Sequence, residues 1–480
     1  MLDLAIVGGR AVLPSGIEDA DIGIQDGQIA IVGRQGQLPA ARTTIVATDQ
    51  LVMPGAIDVH FHCRAPAHPA RGDFATETRA AAAGGVTTVF EMPIAKPGCA
   101  TPEIFRARRA LGEASVYVNF ALFGAPGLLD RDYILGMADE GAIAFKIFTH
   151  AAPPQREDEF LGICIPDEGN LYEAFRLIKD TGLRCTVHSE NNNLLEHLTA
   201  KIQSQGGKDM PAHAASRSPL VEALAVAELA AIAEDLGQPI HIAHLSSEAG
   251  LRIIRRSQRD GVPLTAETCP HYLLFTAADA DAAGPYAKIS PPLRTPSDVN
   301  ALWAGVLDGA ITCVTTDHAP FLVEEKEAGR RNIWVAPSGT PGVEMLVPAM
   351  MTQALNGRLS IRQAVDLIST NGARLFGLYP DKGILQPGAD ADVTIYDPRP
   401  TVIVDRARLF TRAHGCDYLY HGMAMRGQVT TTVVNGKVVF QNGRVVGAPG
   451  DGRFVRGLAR SEGARLHAEG ERQDAKAQRR

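Results

Sequence analysis

Residues 55–66, GAIDVHFHCRAP, place four polar side chains at alternate positions of an otherwise apolar run. The four are Asp58, His60, His62 and Arg64. Alternate side chains of a β-strand point to the same face. The stretch therefore predicts a strand that is apolar on one side and faces something polar on the other.

From residue 55 to residue 375 the sequence alternates regularly between strand-like and helix-like segments. Apolar strand candidates alternate with loops and helical segments such as DFATETRAAAAGG, which end in glycine. The strand candidates are VTTVFEMP, VYVNFALF, AFKIFTH, RCTVHSE, IHIAHLSS, PLTAETCPHY and ITCVTTDHAP. Repeated β-α units of this length require parallel strands, so an α/β fold is predicted, a (β/α)8 barrel of the TIM type with insertions.

Both ends of the chain have a different, β-rich pattern. Residues 1–54 alternate short β-branched runs with glycine turns, and residues 376–445 contain VNGK and QNGR, which are typical of type I′ hairpins. We expect the two ends to pair into one small discontinuous β-sandwich beside the barrel. Residues 446–480 are rich in charge and predict a C-terminal tail.

Composition excludes several functional classes. The 480 residues carry a formal net charge of −7, which gives no general attraction to nucleic acid or to an anionic membrane. The seven cysteines are odd in number and form no CxxC pair, which indicates reduced thiols. The N-terminus lacks a basic segment followed by a long apolar run. We predict a cytoplasmic protein that acts on a small molecule.

Possible metal ligands fall at the predicted strand ends, where barrel enzymes carry their functional residues. They are His60, His62, Lys146, His188, His244 and Asp317. Nitrogen and oxygen ligands of these types suit zinc and other divalent transition metals. A single histidine at a strand end is more often a hydrogen-bonded structural residue, and Lys146 could be a surface lysine. However, Lys146 lies between Phe145 and Ile147, where an unpaired ammonium would be costly unless it is modified.

The motifs DVHFH, VHSE, IAHLSS, CPHY, SPPLR and TTDHAP, together with the strand lysine, occur in an order that resembles a known family. These are the cyclic-amide hydrolases of the amidohydrolase superfamily: dihydroorotases, allantoinases, hydantoinases and dihydropyrimidinases. The resemblance covers about residues 1–445. It implies two zinc ions bridged by a carboxylated Lys146 and a hydroxide, and a homodimer or homotetramer. One ion would be held by His60, His62 and Asp317, the other by His188 and His244.

The resemblance also implies roles beyond metal binding. Asp317 would carry a proton from the attacking hydroxide to the leaving nitrogen, or would serve purely as a ligand. Ser290 and Gly339 would offer backbone groups to the amide edge of the substrate ring, or would simply form turns. Arg64 would meet a substituent of the substrate, or would form a salt bridge with an acid such as Asp73 or Glu91.

The identity of the substrate is less well defined by the motifs. Arg64 matches the dihydroorotase pattern, but Ile94 and Phe321 stand where dihydroorotases have two further carboxylate contacts. Glu91 resembles allantoinases, and KIFTHAAPP lacks the tyrosine that hydantoinases carry after the lysine. We therefore predict a five- or six-membered cyclic ureide or imide with a polar or anionic substituent. Dihydroorotate is the alternative substrate, and a non-catalytic scaffold is the alternative class.

Overall fold

A computed structural model describes residues 1–154 and 156–458. Its central feature is an eight-stranded parallel sheet that curves into a barrel. Six strands from the N-terminal end precede it, so the barrel strands are numbered from β7: β7 (Ala56–Phe61), β8 (Val86–Glu91), β9 (Asn119–Gly124), β10 (Ala144–Phe148), β11 (Cys185–His188), β12 (Ile240–Ile242), β13 (Leu264–Thr268) and β14 (Cys313–Val314). The first and last strands meet where His62 N donates to His318 O at 2.9 Å. The barrel predicted from the sequence is confirmed.

Helices cover the outside of this barrel and join its parallel strands. They are α1 (Phe74–Ala83), α2 (Pro102–Glu113), α3 (Arg131–Asp139), α4 (Glu168–Lys179), α5 (Asn192–Ser204), α6 (Met210–Ser216), α7 (Pro219–Leu236), α8 (Glu248–Arg259), α9 (Pro270–Leu274), α10 (Ala277–Ala283), α11 (Pro296–Leu307), α12 (Val323–Glu327), α13 (Leu346–Leu355), α14 (Ile361–Val365) and α15 (Asn371–Leu375). Local sequence defines their ends. Asp73 accepts from Thr76 N at 2.7 Å and starts α1, and Gly237 ends α7 in a left-handed conformation (φ 61°).

The barrel strands are buried on both faces, which explains their nearly continuous apolar sequences. Every residue of β9, NFALFG, is buried, as is every residue of β10, AFKIF. A charged residue within such a strand therefore points into the barrel or against a helix. Lys146, in the middle of β10, is completely buried. The interpretation of Lys146 as a surface lysine is wrong.

A strand-rich second domain contains both ends of the chain. Its strands are β1 (Leu2–Val7), β2 (Arg10–Leu13), β3 (Gly16–Gln25), β4 (Gln28–Arg34), β5 (Ala41–Val46), β6 (Leu51–Pro54), β15 (Val393–Ile403), β16 (Ala424–Val434), β17 (Lys437–Gln441) and β18 (Arg444–Val445). The two ends join where β6 pairs antiparallel with β15, placing Leu51 opposite Tyr396. The β16–β17 hairpin turns at Asn435 (φ 50°) and Gly436 (φ 78°), the left-handed pair that a type I′ turn requires. The expected pairing of the two ends is confirmed.

The chain beyond β18 stays in contact with the rest of the protein. Residues 446–458 run along the barrel as a strap: Phe120 N donates to Arg453 O at 3.0 Å, and Val455 N donates to Phe120 O at 2.7 Å. Within the stretch 446–480, from which the sequence predicted a charged tail, the first thirteen residues are thus packed, and residues 459–480 lie outside the described residues.

The structure also bears on the cysteines and on membrane-spanning helices. The seven cysteines all lie within the described residues and are unpaired. Among the helices of the described residues, none has the length and apolar character needed to cross a membrane.

Candidate metal centre

The four predicted histidine ligands and Asp317 lie together at the carboxyl ends of the barrel strands. His60 contacts His244 with ring centroids 5.1 Å apart, and His188 contacts His244 at 4.6 Å. The ring of His62 lies 5.5 Å from that of His60. The charge of Lys146 affects the pKa of Asp317 and of three of these histidines, so its amine is close to all of them.

The first group of possible ligands consists of His60, His62 and Asp317. Nε2 of His60 lies 3.3 Å from Oδ1 of Asp317, and Nε2 of His62 lies 3.4 Å from the same oxygen. The three ligand atoms lie within 4.8 Å of one another. Nδ1 of His60 contacts Oε1 of Glu267 at 2.5 Å. Because the carboxylate accepts, Nδ1 carries the proton and Nε2 keeps its lone pair for a metal.

The second group has the same organisation with the opposite ring nitrogen. Nε2 of His188 contacts Oε2 of Glu190 at 2.7 Å, which leaves Nδ1 as its metal-binding atom. That Nδ1 lies 2.9 Å from Nε2 of His244. With His188 Nδ1 as the acceptor, His244 Nε2 donates to it, and an ion that replaced this proton would lie between the two nitrogens. Arg217 donates to the same oxygen of Glu190 and holds the carboxylate in place.

A third cluster inside the barrel, His241, Glu267 and Cys313, also has ligand-like spacing. Both nitrogens of His241 are engaged, Nδ1 with Thr265 Oγ1 at 2.9 Å and Nε2 with Glu267 Oε2 at 3.1 Å. His241 therefore has no free lone pair for an ion. Its role is to hold Glu267, which in turn orients His60.

The protonation states of the histidines suit metal binding. Burial lowers the pKa of His62, His188 and His244 well below the usual value, so all three imidazoles are neutral at pH 7. Neutral imidazole is the form that binds zinc. Burial alone would raise the pKa of Glu267, but His60 and His241 beside it lower the pKa well below its usual range, so Glu267 stays an anion.

Lys146 is the least satisfied group of the cluster. Its Nζ is fully enclosed and forms no hydrogen bond with any described residue. Burial lowers its pKa to about 8, so roughly a tenth of the amine is neutral at pH 7, far more than for an ordinary lysine. A neutral amine is the form that adds carbon dioxide. A carboxylated side chain would replace an isolated cation by an anionic two-oxygen ligand, so the surroundings of Lys146 fit that modification.

Three of the candidate residues lie on left-handed backbone just beyond the strands. Asp317 has φ 48° and His244 has φ 36°, conformations that cost energy for residues other than glycine and are common at functional sites. Arg64 (φ 66°) is also left-handed, and it lies beyond the end of β7 at Phe61. The prediction that Arg64 continues the strand face of the two histidines is therefore wrong.

The alternative interpretation of Arg64, a salt bridge with an acid such as Asp73 or Glu91, is wrong. The residue is only 3% exposed, and among the described residues no carboxylate, including those of Asp73 and Glu91, lies within 4.0 Å of its guanidinium. Among the described residues, the guanidinium forms one hydrogen bond, from Nε to Pro320 O at 3.4 Å. Arg64 is therefore a buried arginine without an acid partner.

The predicted substrate-edge residues lie on two segments that are joined. Ser290 Oγ donates to Ser338 Oγ at 3.0 Å, next to Gly339, whose N donates to Lys288 O at 2.9 Å. Buried lysines brace both segments: Lys326 Nζ donates to Lys288 O at 3.1 Å and to Pro337 O at 2.9 Å. The backbone around Ser290 and Gly339 is thus held rigidly.

Sequence reasoning missed the two carboxylates that orient the histidines. Glu190 follows His188 by two residues, and that spacing was a usable signal. Glu267 is 207 residues from His60 in the chain, and no local pattern connects the two. Only the assembled barrel reveals that pair.

Comparisons with known proteins agree with this geometry. Residues 51–439 match the family model described as Amidohydrolase family. An L-hydantoinase of Paenarthrobacter aurescens is 35% identical, covering 95% of this chain and 98% of its own length. An allantoinase of Rubrobacter xylanophilus is 37% identical, covering 94% of this chain and 97% of its own length. The solved structure of an L-hydantoinase (dihydropyrimidinase) from Arthrobacter aurescens is 34% identical, has a TM-score of 0.89, and covers 95% of this chain and 100% of that one. This chain belongs to the amidohydrolase family.

Proposed function

We propose that this chain hydrolyses the ring amide of a five- or six-membered cyclic ureide or imide, with two divalent ions, mainly zinc, as its cofactors. The observation that carries the proposal is the metal centre itself. Histidines, Asp317 and a buried amine that has no hydrogen-bond partner among the described residues converge at the barrel mouth. The relatives named as hydantoinases and allantoinases support a cyclic ureide as the substrate class.

In this proposal His60, His62 and Asp317 would hold one ion, His188 and His244 would hold the other, and a carboxylated Lys146 would supply further oxygen ligands. When bound, such ions polarise a carbonyl group and lower the pKa of water, which supplies the electrophile and the nucleophile of the hydrolysis. The carboxylates of Glu267 and Glu190 keep the protons on the outer nitrogens of His60 and His188.

Asp317 is the proposed proton carrier. Its side chain is 13% exposed, the most open of the first group, so it can reach a substrate at the mouth. The proton comes from the attacking water and goes to the ring nitrogen as the C–N bond breaks. Backbone groups at Ser290 and Gly339 orient the amide edge meanwhile.

Hydantoin and allantoin are the first substrates to try, because relatives over most of the chain carry those names. Dihydroorotate is kept as the alternative because Arg64 has no acid partner among the described residues. Ile94 and Phe321, both buried, cannot supply the two further polar contacts that dihydroorotases have. We also expect a homodimer or homotetramer, by resemblance to the family.

The test is metal analysis of the purified protein combined with a ring-opening assay on hydantoin, allantoin, dihydrouracil, dihydroorotate and succinimide. We expect about two divalent ions per chain and turnover of at least one ring. A metal-free preparation with full activity would contradict the metal centre. A protein that holds both ions but opens none of the rings would favour the scaffold alternative.

A further inference from the structure

His318 lies beside the candidate metal centre but is not one of its ligands. It follows Asp317 directly in the chain, and its side chain is completely buried. Its ring stacks on that of Phe61, with centroids 5.1 Å apart and an angle of 11° between the planes. Both ring nitrogens have hydrogen-bond partners, so the ring has no free lone pair for an ion. Its hydrogen bonds therefore define its role.

The position of the proton on this ring follows from its partners. Nδ1 of His318 accepts from two successive backbone groups, Gly342 N at 3.0 Å and Val343 N at 3.3 Å. Backbone N–H groups can only donate, so Nδ1 is the nitrogen without a proton. The proton of the neutral ring is then on Nε2, which donates to Oε2 of Glu77 at 2.8 Å.

The two N–H groups bound by His318 belong to the segment that contains Gly339. We call residues 339–343 the edge segment, because the backbone at Gly339 is proposed to orient the amide edge of the substrate. Among the described residues, the N–H groups of Gly342 and Val343 donate to no other atom. At this point the edge segment is therefore held to the barrel mouth by one imidazole nitrogen.

The backbone of His318 connects the same point to the candidate metal ligands. His318 O accepts from His62 N at 2.9 Å, and Asp317 is the preceding residue. A shift of the His318 ring would therefore change the distance between the edge segment and two of the proposed ligands.

Glu77, in α1, is completely buried and accepts hydrogen bonds on both oxygens. Its Oε1 accepts from Thr76 Oγ1 at 3.0 Å and from Arg412 N at 3.1 Å. Its Oε2 accepts from Thr411 Oγ1 at 2.5 Å as well as from His318. An amide could accept on only one of these two sides, because its nitrogen only donates. The position therefore requires a carboxylate.

We infer that His318 and Glu77 are positioning residues for the proposed hydrolysis: Glu77 keeps the proton on Nε2 of His318, and Nδ1 then holds the edge segment in register with the metal ligands. This inference rests on the proposed function and assigns roles to two residues outside the metal ligands and the substrate contacts. A ring with its proton on Nδ1 would direct an N–H group against those of Gly342 and Val343, and the edge segment would be released.

Two substitutions at His318 separate its two hydrogen bonds. Asparagine carries its oxygen on Cγ, where histidine carries Nδ1, so His318→Asn keeps an acceptor for the edge segment. Glutamine carries its amide one bond further out, so His318→Gln keeps only a donor toward Glu77. We expect KM to rise by about tenfold in His318→Gln and clearly less in His318→Asn, because the lost hydrogen bonds hold the ring both before and during the reaction. Bound metal should stay at the wild-type level in both.

The Glu77→Gln variant tests the other end of the contact. Its amide nitrogen has to face one set of donors, so we expect KM to rise as in His318→Gln. The matched control is Glu103→Gln, which changes an exposed carboxylate in the first turn of α2 and should leave KM unchanged.

The proton position can be measured in the metal-loaded wild-type protein without any substrate. With ¹⁵N-labelled histidine, a two-bond ¹H–¹⁵N NMR spectrum distinguishes a neutral ring protonated on Nε2 from one protonated on Nδ1. The signals of His318 are identified by their absence from His318→Asn. We expect the form protonated on Nε2.

Hydrogen exchange followed by mass spectrometry reports on the edge segment, also without substrate. Peptides that contain Gly342 and Val343 should exchange slowly in the wild type and in His318→Asn. They should exchange at least about tenfold faster in His318→Gln and Glu77→Gln, as expected when a hydrogen bond worth about 1 kcal/mol or more is lost.

Three results would overturn the inference. The first is a wild-type His318 protonated on Nδ1, and the second is an unchanged KM and unchanged exchange in a folded His318→Gln or Glu77→Gln protein. The third is an equal loss in His318→Asn and His318→Gln, which would mean that the ring only fills space. Failure of the proposed function gives a different result, because then no ring is opened by the wild type while the NMR and exchange measurements still report the contact.

Discussion

At the scale of single residues, Lys146 is the side chain on which the proposed centre depends most. Its amine is enclosed and has no hydrogen-bond partner among the described residues. We predict that Lys146→Ala loses bound metal and lowers kcat by roughly 10³-fold or more, because a bridging ligand is removed. Lys146→Arg should fail equally, since a guanidinium stays cationic. Added acetate or propionate should restore part of the activity of the alanine variant by supplying two oxygens.

Metal content and turnover measured on the same preparations test this prediction. The exposed Lys201, changed to alanine, is the matched control for loss of a lysine. Wild-type metal content and activity in Lys146→Ala would show that the amine is not a ligand. A ¹³C NMR spectrum of an active preparation supplied with ¹³C-labelled bicarbonate that shows no carbamate resonance would contradict the carboxylation.

How much of the site could be predicted from the sequence differs from residue to residue. His60, His62, His188, His244 and Asp317 were predicted because each ends an apolar strand, and parallel strands bring their ends together. Glu267 could not be predicted, since its partner His60 is distant in the chain. The reason for which the sequence placed Arg64 beside His62, alternation along one strand, is wrong. Alternation holds only within a strand, and the left-handed backbone at Arg64 redirects its side chain.

At the scale of structural elements, a buried carboxylate links a turn that follows the last barrel strand to the segment between β15 and β16. Glu344 lies in the 3₁₀ turn Val343–Met345, and its Oε1 accepts from Phe410 N at 2.8 Å and from Thr411 N at 3.0 Å. Burial raises the pKa of Glu344 to about 8 from an ordinary value of 4.5, in spite of these two bonds. Ionisation of this group therefore opposes folding.

The raised pKa of Glu344 determines how the stability of the protein changes with pH. Because the folded protein holds this proton more tightly than the unfolded chain does, the free energy of unfolding should fall as pH rises from about 4.5 to 8. The contribution is about 4 kcal/mol at most. Glu344→Gln keeps the accepting oxygen and stays neutral, so we predict that its Tm decreases less than that of the wild type between pH 5 and pH 8.

Thermal unfolding at several pH values within that range measures the effect. Glu196→Gln, which removes an exposed carboxylate from α5, is the control and should follow the wild-type curve. If Tm falls equally with pH in the wild type and in Glu344→Gln, Glu344 is not responsible for the pH dependence of the stability.

At the scale of the whole molecule, the sequence predicted the architecture better than its boundaries. The period of strands and helices predicted the barrel, and the asparagine-glycine turns predicted the C-terminal hairpins. The strap at residues 446–458 was missed because backbone contact with the barrel, such as that of Gly452, leaves no hydrophobic pattern in the sequence. We propose that these residues belong with the barrel and that the structural unit extends beyond residue 445.

The strap depends on close backbone approach, which gives the last prediction. A Cβ atom at Gly452 would lie 2.0 Å from Val118 O, and backbone cannot move aside as a flexible side chain can. We predict that Gly452→Ala forces the strap away from β9 and destabilises the protein by about 1–3 kcal/mol, which lowers Tm by roughly 1–3 °C. Gly33→Ala is the matched control, because its nearest neighbour would be Ile31 Cγ2 at 3.6 Å. Equal Tm values for the two variants would mean that the strap is not held against the barrel in solution, whereas a loss confined to Gly452→Ala would place residues 446–458 within the cooperative fold.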